Sequence, residues 1–560
     1  MRGGPATTSA SAGRRETPRS APPAASAHSR SRPGGSVSAA HASTSSIRLS
    51  DLAFFVVALF ALAWLFWKNT LLASRVIDGT RYFLLDDDMM ISMRYARNLA
   101  EGQGLVWNPG ERVEGYTNFL WTVVMAGIHF IPHSDANVAL LVKGVNFVLT
   151  GATLWLSIRF LRLFAPRSLL VTPLLLVVMV TCADVLLWSV WGFEVALLSL
   201  LNLVFFYRLA QGRHDALTYA ALALVPLTRG DGVYVFAGNA LVAIALSKGS
   251  RRPLVYLAIA ALPTVCHFLF RHAYYGDWLP NTYYLKVYGL EEPYKRGWSY
   301  ARNFLLQYSV VLALAAASAL ALLRTDRRGL IPIGAALPTL GWVVLVGGDM
   351  FTWYRFFAHL MPIVFVFATV GVATLARGAI GQLAWAAVLF IVSFPLVRPL
   401  GRLVFLDTNG DPLEQIQVAM LIKKNASPAS SVAVITAGIV PYFTRLRAID
   451  ILGKSDKHIA RLPPFKGAMV GHGKLDPDYT LGKDPDLVVS CRSYPFALGL
   501  TTDARTHDPV LSFLASSAFQ SKYRGAPINE AFTLGKTAIY THAGSEEIAR
   551  RDWQGVVVTP

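Results

Sequence analysis

The chain has 560 residues, of which 54% are hydrophobic and only 15% are charged, and its mean hydropathy is +0.43. Soluble globular chains carry roughly 25% charged residues, so this composition excludes an ordinary soluble enzyme. A formal net charge of +18 would suggest nucleic acid as the partner of a soluble protein. Here the basic residues lie mainly in an N-terminal tail and in short connections between apolar runs, where membrane topology explains them better. We therefore expect no nucleic-acid partner.

The N-terminal tail, residues 1–50, is rich in Ser, Ala, Pro, Gly and Arg and has almost no large apolar side chains. Such a segment cannot bury enough apolar surface to offset the entropy lost on ordering. We expect it to be disordered, and its arginines predict that it lies in the cytoplasm.

Residues 51–401 read as a transmembrane domain. Apolar runs of about 15 to 25 residues recur there, and about 20 helical residues cross a hydrocarbon core. We predict about eleven transmembrane helices in a polytopic α-helical membrane protein. A first outer loop, residues 69–137, follows the first span. Its short apolar piece, residues 117–131, is placed at the interface because crossing would put the next basic cluster outside.

The last 160 or so residues, 402–560, alternate short apolar runs with polar helix-like segments and Pro/Gly turns. This pattern predicts a small α/β domain, which the topology places outside the cytoplasm. With this membrane topology, most of the unusual polar motifs fall on the outer face. We expect an integral protein of the plasma membrane with an active site that faces outward.

Three consecutive carboxylates, Asp86, Asp87 and Asp88, stand early in the first outer loop. Crowding raises the pKa of at least one of them, so one could act as a general base toward an acceptor hydroxyl. The triplet could also hold Mg²⁺, Mn²⁺ or Ca²⁺, which prefer oxygen ligands. The structural alternative is an acidic helix N-terminus, because residues 89–100 look helical.

Arginines and glutamates follow in the same loop. Arg94 and Arg112 have the forked donors that suit phosphate recognition, although pairing with Glu101, Glu111 or Glu114 is an equal alternative.

Ionisable residues recur at predicted outer helix ends: Glu194, Arg229, Asp231 and Asp349. Such groups are costly near membrane depth unless paired or hydrated, so they usually line a cavity. The alternative, an ion pair between Glu194 and Arg229, would explain two of the four.

The outer loop that begins near residue 274 mixes aromatic residues with Asn281, Tyr283 and Lys286. Such a mixture suits a sugar or a lipid phosphate, and an interfacial aromatic belt is the alternative.

The ordered motifs resemble those of one family of membrane glycosyltransferases. The string is Asp87-Asp88-x5-Arg94-x2-Arg97-Asn98-Leu99, then Gly102-x-Gly104-x-Val106-x-Asn108-x-Gly110-Glu111-Arg112-Val113-Glu114, with later matches at Gly192-Phe-Glu194, Gly347-Gly348-Asp349-x5-Arg355, Ile449-Asp450-Ile-Leu-Gly453 and Gly471-His472. It looks like the terminal arabinofuranosyltransferase B family of the GT-C superfamily. Asp86 and the N-terminal extension are not part of that pattern.

The resemblance implies an inverting transfer of a sugar, with arabinofuranose the nearest named option, from a polyprenyl-phosphate donor to a cell-envelope glycan. Asp87 would be the general base and Asp88 its support. The residues assigned to the donor are Arg94, Arg229, Lys286, Arg355, Asn281 and Tyr283. Those assigned to the rest of the substrate are Asn108, Glu111, Arg112, Glu114, Glu194, Asp231 and Asp349. No cofactor is implied, and a divalent cation stays open.

Two other functions compete with this one. A transporter or flippase of a lipid-linked glycan would predict charged residues through the middle of the membrane and pseudo-symmetry, and no internal repeat is visible in the sequence. A non-catalytic membrane scaffold would not need acidic residues collected on one face.

Overall fold

The computed structural model describes residues 48–165, 168–287, 292–351, 353–375, 412–465, 470–491, 517–525 and 537–545, together with positions 378, 380, 381, 383, 384, 387, 514, 558 and 559. The predicted disordered tail lies almost entirely outside these residues, and so does most of the stretch that leads to Pro399.

Helices dominate the chain as far as residue 375. They are α1 (Leu49–Leu72), α2 (Asp87–Ala100), α3 (Phe119–His129), α4 (Val138–Arg162), α5 (Val171–Thr181), α6 (Ala183–Val190), α7 (Val195–Ala210), α8 (Ala216–Thr228), α9 (Gly232–Leu246), α10 (Arg252–Tyr275), α11 (Asn281–Lys286), α12 (Pro293–Gln307), α13 (Ser309–Leu323), α14 (Leu330–Val346), α15 (Arg355–Ala358) and α16 (Met361–Leu375). A 3-10 turn, Arg327–Gly329, leads into α14.

Four helical segments are long and apolar enough to cross a membrane: Leu49–Leu72, Val138–Arg162, Arg252–Tyr275 and Arg327–Val346. Two bent pairs raise this number to six among the described residues if each pair is one span: α5 with α6, bent by 53°, and α12 with α13, bent by 81°. The protein is therefore an integral membrane protein, and the count of about eleven spans stays a prediction. The first helix is longer at both ends than the apolar run at residues 51–67 suggested.

The first loop after α1 forms a hairpin and a helix. Strands β1 (Ser74–Ile77) and β2 (Thr80–Phe83) pair antiparallel, and β8 (Val558–Thr559) adds to the free edge of β1. Helix α2 then begins at Asp87, because the Asp86 carboxylate accepts the Asp88 N–H at 3.0 Å and caps the helix. The expected helix at residues 89–100 is thus confirmed, and it starts two residues earlier.

The region after residue 411 has mixed α/β structure. Its helices are α17 (Pro412–Asn425), α18 (Ile439–Thr444), α19 (Lys457–Ala460), α20 (Pro477–Gly482) and α21 (Ser517–Lys522), and its strands are β3 (Ser431–Val434), β4 (Arg447–Asp450), β5 (Leu487–Cys491), β6 (Tyr523–Gly525) and β7 (Thr537–His542). The five strands form one sheet in the order β4-β3-β5-β7-β6. The pairs β3–β4 and β3–β5 are parallel, and the pairs β5–β7 and β6–β7 are antiparallel.

One hydrophobic core joins the first loop to the α/β region. It includes Met90 of α2, Trp121 of α3, Ile416 of α17 and Val432 of β3, all of them buried. Burial of apolar area at about 25 cal/mol per Å² makes such a shared core the main force that holds two segments together. Helix α2 therefore has its first turn against the α/β region, and the acidic triplet lies at this junction.

Candidate functional site

Asp86 has a structural role at the start of α2. Its carboxylate caps the helix, and its own N–H donates to the carbonyl of Trp191 at 3.1 Å. Burial, followed by the charges of Asp88 and Asp87, raises the pKa of Asp86 to about 7. Asp86 therefore fits the structural alternative of the sequence analysis, in which acidic residues stand at a helix N-terminus.

Asp87 contacts the α/β region through backbone amides. Its Oδ1 accepts the N–H of Ile439 at 2.8 Å and the N–H of Gly438 at 3.2 Å. A Cβ on Gly438 would lie 1.9 Å from the Asp87 carbonyl oxygen, so only glycine permits this approach. Oδ2 has one long contact, 3.3 Å to the Gly438 N–H. Burial raises the pKa of the Asp87 carboxyl, against the opposing effect of Lys454.

Asp88 is the carboxylate that pairs with a cation. Lys454, which follows β4 in the α/β region, places its Nζ 2.5 Å from Asp88 Oδ1. Burial acts to raise the pKa of Asp88, but the charges of Lys454, Lys286 and Arg355 outweigh it and hold this pKa well below its ordinary value. Asp88 is therefore a carboxylate in an ion pair and a poor proton acceptor.

The charges of Lys286, Arg355 and Lys454 all act on Asp88. We call these four residues, together with Asp349, the cation cluster. Burial lowers the pKa of Lys286, and the charges of Asp88, Arg355, Asp349 and Lys454 also act on it. Arg355 pairs with Asp349, Nε to Oδ2 at 2.8 Å and Nη2 to Oδ1 at 3.0 Å. The three cations of the cluster outnumber its two carboxylates, and Lys454 also interacts with the neighbouring Asp87 carboxylate.

Lys286 is the cation of this cluster that has no ion-pair partner among the described residues. Among the residues that the structure describes, its ammonium has no hydrogen-bond or ion-pair partner, and it is not sealed from solvent. Its aliphatic stem lies against Gly471, where an added Cβ would come within 3.2 Å of it. His472 lies beside the cluster, where burial and the charge of Lys454 lower its pKa to about 3 and keep it neutral.

Arg94 and Arg229 differ from the expectation that they bind the donor phosphate. Arg94 is buried, and its guanidinium donates to the carbonyls of Trp107, Pro441 and Leu446 and to the Asn108 amide oxygen, at 2.5 to 2.9 Å. Four of its five N–H groups are used, two within the first loop and two in joining α2 to the α/β region. We therefore leave Arg94 out of the proposed donor site.

Arg229 is held by two carboxylates. Its Nη1 lies 2.6 Å from Glu194 Oε1, and its Nε and Nη2 lie 2.9 and 3.1 Å from the two oxygens of Asp231. The predicted alternative, an ion pair between Glu194 and Arg229, is confirmed. Glu194 also accepts from Asn118 at 3.2 Å, so this group is a closed network next to the cation cluster.

Four first-loop residues assigned to the substrate have protein partners instead. Asn108 donates to the Ala448 carbonyl of β4 at 2.8 Å, and the exposed Glu111 pairs with Arg447 at 3.1 Å. The other two contact α10 or its C-terminal end, because the buried Glu114 forms two bonds with Arg271, at 2.5 and 3.1 Å, and the exposed Arg112 lies over the Tyr274 ring. The alternative, in which Arg94 or Arg112 pairs with one of these glutamates, does not match the structure, because the arginines that pair with Glu111 and Glu114 come from distant segments.

Two residues assigned to the donor from α11 have different positions. The Asn281 amide donates to the carbonyls of Gly453, Lys454 and Asp456 at 2.9 to 3.1 Å, so it holds the backbone that carries Lys454. Tyr283 is 41% exposed and packs edge-on against Tyr284. Within the described part of the chain, neither side chain contacts the charged groups of the cluster, so neither is retained as a phosphate ligand.

Lys454 is the site residue that the sequence analysis did not assign. It directly follows the Ile449-Asp450-Ile-Leu-Gly453 motif, which was noted as part of the resemblance. A lysine beside such a motif, far from the acidic triplet, was the available signal. As for metals, no group of three or more His, Cys, Asp or Glu suited to a metal ion occurs in the described part of the chain.

Comparison with known proteins finds one family model, two named relatives and solved structures that resemble this chain. Residues 409–548 match a family model described as a domain of unknown function, DUF8728. The chain is similar to the terminal beta-(1->2)-arabinofuranosyltransferase of Corynebacterium glutamicum, with 25% identity over 58% of this chain and 52% of the relative. It is also similar to the protein of that name from Mycobacterium tuberculosis, with 30% identity over 43% of this chain and 41% of the relative. The chain thus spans about half the length of the curated relatives it matches.

Solved structures share the fold. The chain superposes on ArnT from Cupriavidus metallidurans bound to undecaprenyl phosphate, with a TM-score of 0.52, 13% identity and coverage of 88% of this chain and 98% of that one. It also superposes on the apo oligosaccharyltransferase of Archaeoglobus fulgidus, with a TM-score of 0.51, 10% identity and coverage of 91% and 76%. The resemblance to arabinofuranosyltransferases and to the GT-C fold is confirmed in sequence by the two relatives and in architecture by the two structures.

Proposed function

We propose that this protein is a glycosyltransferase that moves a sugar, with arabinofuranose the first candidate, from a polyprenyl-phosphate donor to an outer cell-envelope glycan. The observation that carries the proposal is the cation cluster. Lys286, which has no partner among the described residues, and Arg355, which is paired with Asp349, both act electrostatically on Asp88, next to Asp87 in the chain. Both named relatives are arabinofuranosyltransferases, and the ArnT structure of the same fold holds undecaprenyl phosphate.

The general base in this proposal is Asp87. Its pKa is raised by burial, no cation of the described residues forms an ion pair with it, and its Oδ2 has one long contact. A carboxylate of raised basicity is a better proton acceptor than one held in an ion pair. Asp88 is held by Lys454, and Asp86 caps α2, so Asp87 is the member of the triplet with neither an ion pair nor a capping role among the described residues.

The donor phosphate binds at Lys286 and Arg355. The ammonium of Lys286 is available, and Arg355 keeps donors beyond those it directs at Asp349. Arg355 also lies over the rings of Trp188 and Phe193, at 5.3 and 5.0 Å, which fix its orientation. Fixed cations at a leaving phosphate stabilise the charge that develops in the transition state.

In the reaction, the acceptor hydroxyl oxygen attacks the anomeric carbon of the sugar while the bond from that carbon to the phosphate oxygen breaks. The hydroxyl proton passes to Asp87 Oδ2, and the electron pair of the broken bond leaves with polyprenyl phosphate. The added negative charge is met by Lys286 and Arg355. Displacement in one step inverts the anomeric centre.

The site lies at the junction of the first loop and the α/β region, which we place on the outer face of the plasma membrane. The α/β region supplies Gly438, Ile439 and Lys454 to the acidic triplet. It would also form one wall of the acceptor site. Membrane lipids surround the helical part, and no nucleic acid takes part.

The test is transfer from a panel of synthetic polyprenyl-phosphate sugars by purified protein in detergent, with a cell-envelope oligosaccharide as acceptor. We expect product from one donor and a loss of on the order of a hundredfold in Lys286→Met, since a fixed charge at the transition state typically contributes this much. Lys295→Met is the matched control, because Lys295 is an exposed lysine paired only with Glu292 in the described residues. Failure of the whole panel, with transport of a lipid-linked glycan across vesicles, would favour the flippase alternative.

A further inference from the structure

Lys454 reaches the acidic triplet from a segment 366 residues away in the chain. The ion pair with Asp88 is largely buried, since the Lys454 side chain is 9% exposed and the Asp88 side chain 18%. Bringing a lysine and a carboxylate together away from water is costly unless their geometry is good and other groups support them. The support here comes from two directions.

The first support is the turn that carries Lys454. Asp450, the last residue of β4, accepts the N–H groups of Leu452 and Gly453 at Oδ1, at 3.1 and 3.0 Å, and the N–H of Ser455 at Oδ2, at 2.7 Å. Three backbone amides bound to one buried carboxylate fix the path of this turn. Gly453 has φ +82°, which glycine adopts without strain.

The second support comes from α11. The Asn281 amide donates to three carbonyls of the same turn, and the hydroxyl of Tyr95 on α2 lies 3.3 Å from the Ser455 hydroxyl. Helix α11 also carries Lys286 at its other end. The two lysines that act on Asp88 are therefore carried by segments that contact each other, and several hydrogen bonds fix the backbone that carries Lys454.

The chemistry at this position is that of a counter-cation. An unpaired Asp88 carboxylate would repel a phosphate held at Lys286 and Arg355. A divalent ion is one way to neutralise such a carboxylate, and it needs several oxygen ligands from a site. Here Asp86 caps a helix, Asp87 accepts backbone N–H groups, and Asp88 is paired with an ammonium.

We propose that Lys454 is the built-in counter-cation of Asp88, in the place that a divalent metal ion would otherwise take, so that the donor phosphate binds to Lys286 and Arg355 without a metal. The proposal makes Lys454 a positioning residue of the α/β region, and its catalytic part rests on the proposed glycosyl transfer.

The first test uses full-length protein in the transfer assay, with and without EDTA. We expect the wild-type rate to change less than twofold with EDTA. Lys454→Met should lose on the order of a hundredfold, because it leaves Asp88 as an unpaired buried charge, and Mg²⁺ or Mn²⁺ should restore part of its rate. Lys454→Arg should keep more activity than Lys454→Met. The matched control is Lys457→Met, since Lys457 donates to the Tyr275 carbonyl and not to the triplet.

The second test does not need activity. In a titration with Mn²⁺ followed by electron paramagnetic resonance, wild-type protein should bind no ion at the triplet, whereas Lys454→Met should gain a site that Asp88→Asn removes. Wild-type binding of Mn²⁺ that disappears in Asp88→Asn would overturn the inference, and so would EDTA-sensitive transfer restored by Mg²⁺. Absence of transfer with this Mn²⁺ pattern intact would refute the proposed function and leave the counter-cation in place.

Discussion

Replacing Asp87 with asparagine separates its structural contact from its proposed chemistry. The side-chain oxygen of asparagine can still accept the N–H groups of Ile439 and Gly438, which Asp87 Oδ1 accepts at 2.8 and 3.2 Å. The second oxygen becomes an amide nitrogen that cannot take up a proton. Asp87→Asn should therefore keep the junction with the α/β region and lose the base.

The magnitudes differ enough to be distinguished. A hydrogen bond to a charged group contributes about 1.5–3 kcal/mol against about 1 kcal/mol for a neutral one, so the free energy of unfolding should fall by roughly 1 kcal/mol. Loss of general base catalysis should lower kcat by about 10²–10⁴-fold. At about 1.4 kcal/mol for each factor of ten, that is roughly 3–5 kcal/mol of transition-state free energy.

The assay is single-turnover transfer from the donor identified in the panel, with thermal unfolding in the same detergent as a check on folding. Asp86→Asn is the matched control, because asparagine is an equally good helix cap, and its rate should stay within about threefold of wild type, since no proton transfer is assigned to it. Near-wild-type turnover by Asp87→Asn together with loss of turnover in Asp88→Asn would refute the division of roles within the triplet.

Three further predictions concern stability. Asp86→Asn should gain stability relative to wild type as pH rises from about 4 to about 7, because the folded-state pKa of Asp86 is raised to about 7 while its unfolded value is about 3.9; an unfolding temperature difference that is flat with pH would contradict this. Arg94→Met should lower the unfolding temperature clearly, since four buried acceptors each lose a hydrogen bond, whereas the exposed Arg112→Met should change it little. Glu114→Ala should cost about 3–5 kcal/mol because it leaves Arg271 buried without its counter-charge, and equal stability of this variant and wild type in chemical unfolding would count against the ion pair.

The membrane character and the first-loop helix could be predicted because their signals are local. Apolar runs are read directly from composition, and residues 89–100 have the period and the acidic N-terminus of a helix. The structural alternatives also indicated two local features, an acidic helix N-terminus at the triplet and an ion pair between Glu194 and Arg229, and the structure has both.

The division of roles within the site could not be predicted, because each partner lies far away in the chain. Arg94 looks like a phosphate ligand until Pro441 and Leu446 are known to use its donors. Nothing near Asp88 indicates that Lys454 pairs with it. Whether an arginine or a carboxylate is free depends on its contacts, and those contacts are fixed by the packing of α2 against the α/β region.

The most direct measurement is a structure of the protein with a polyprenyl phosphate bound in a lipid nanodisc. The account predicts phosphate oxygens about 3 Å from Lys286 Nζ and from a guanidinium nitrogen of Arg355, the ordinary distance of a charge-assisted hydrogen bond. It also predicts that Lys454 stays on Asp88 and that Asp87 Oδ2 faces the anomeric side of the phosphate. A phosphate bound elsewhere, with Lys286 and Arg355 unoccupied, would contradict the proposed transfer site.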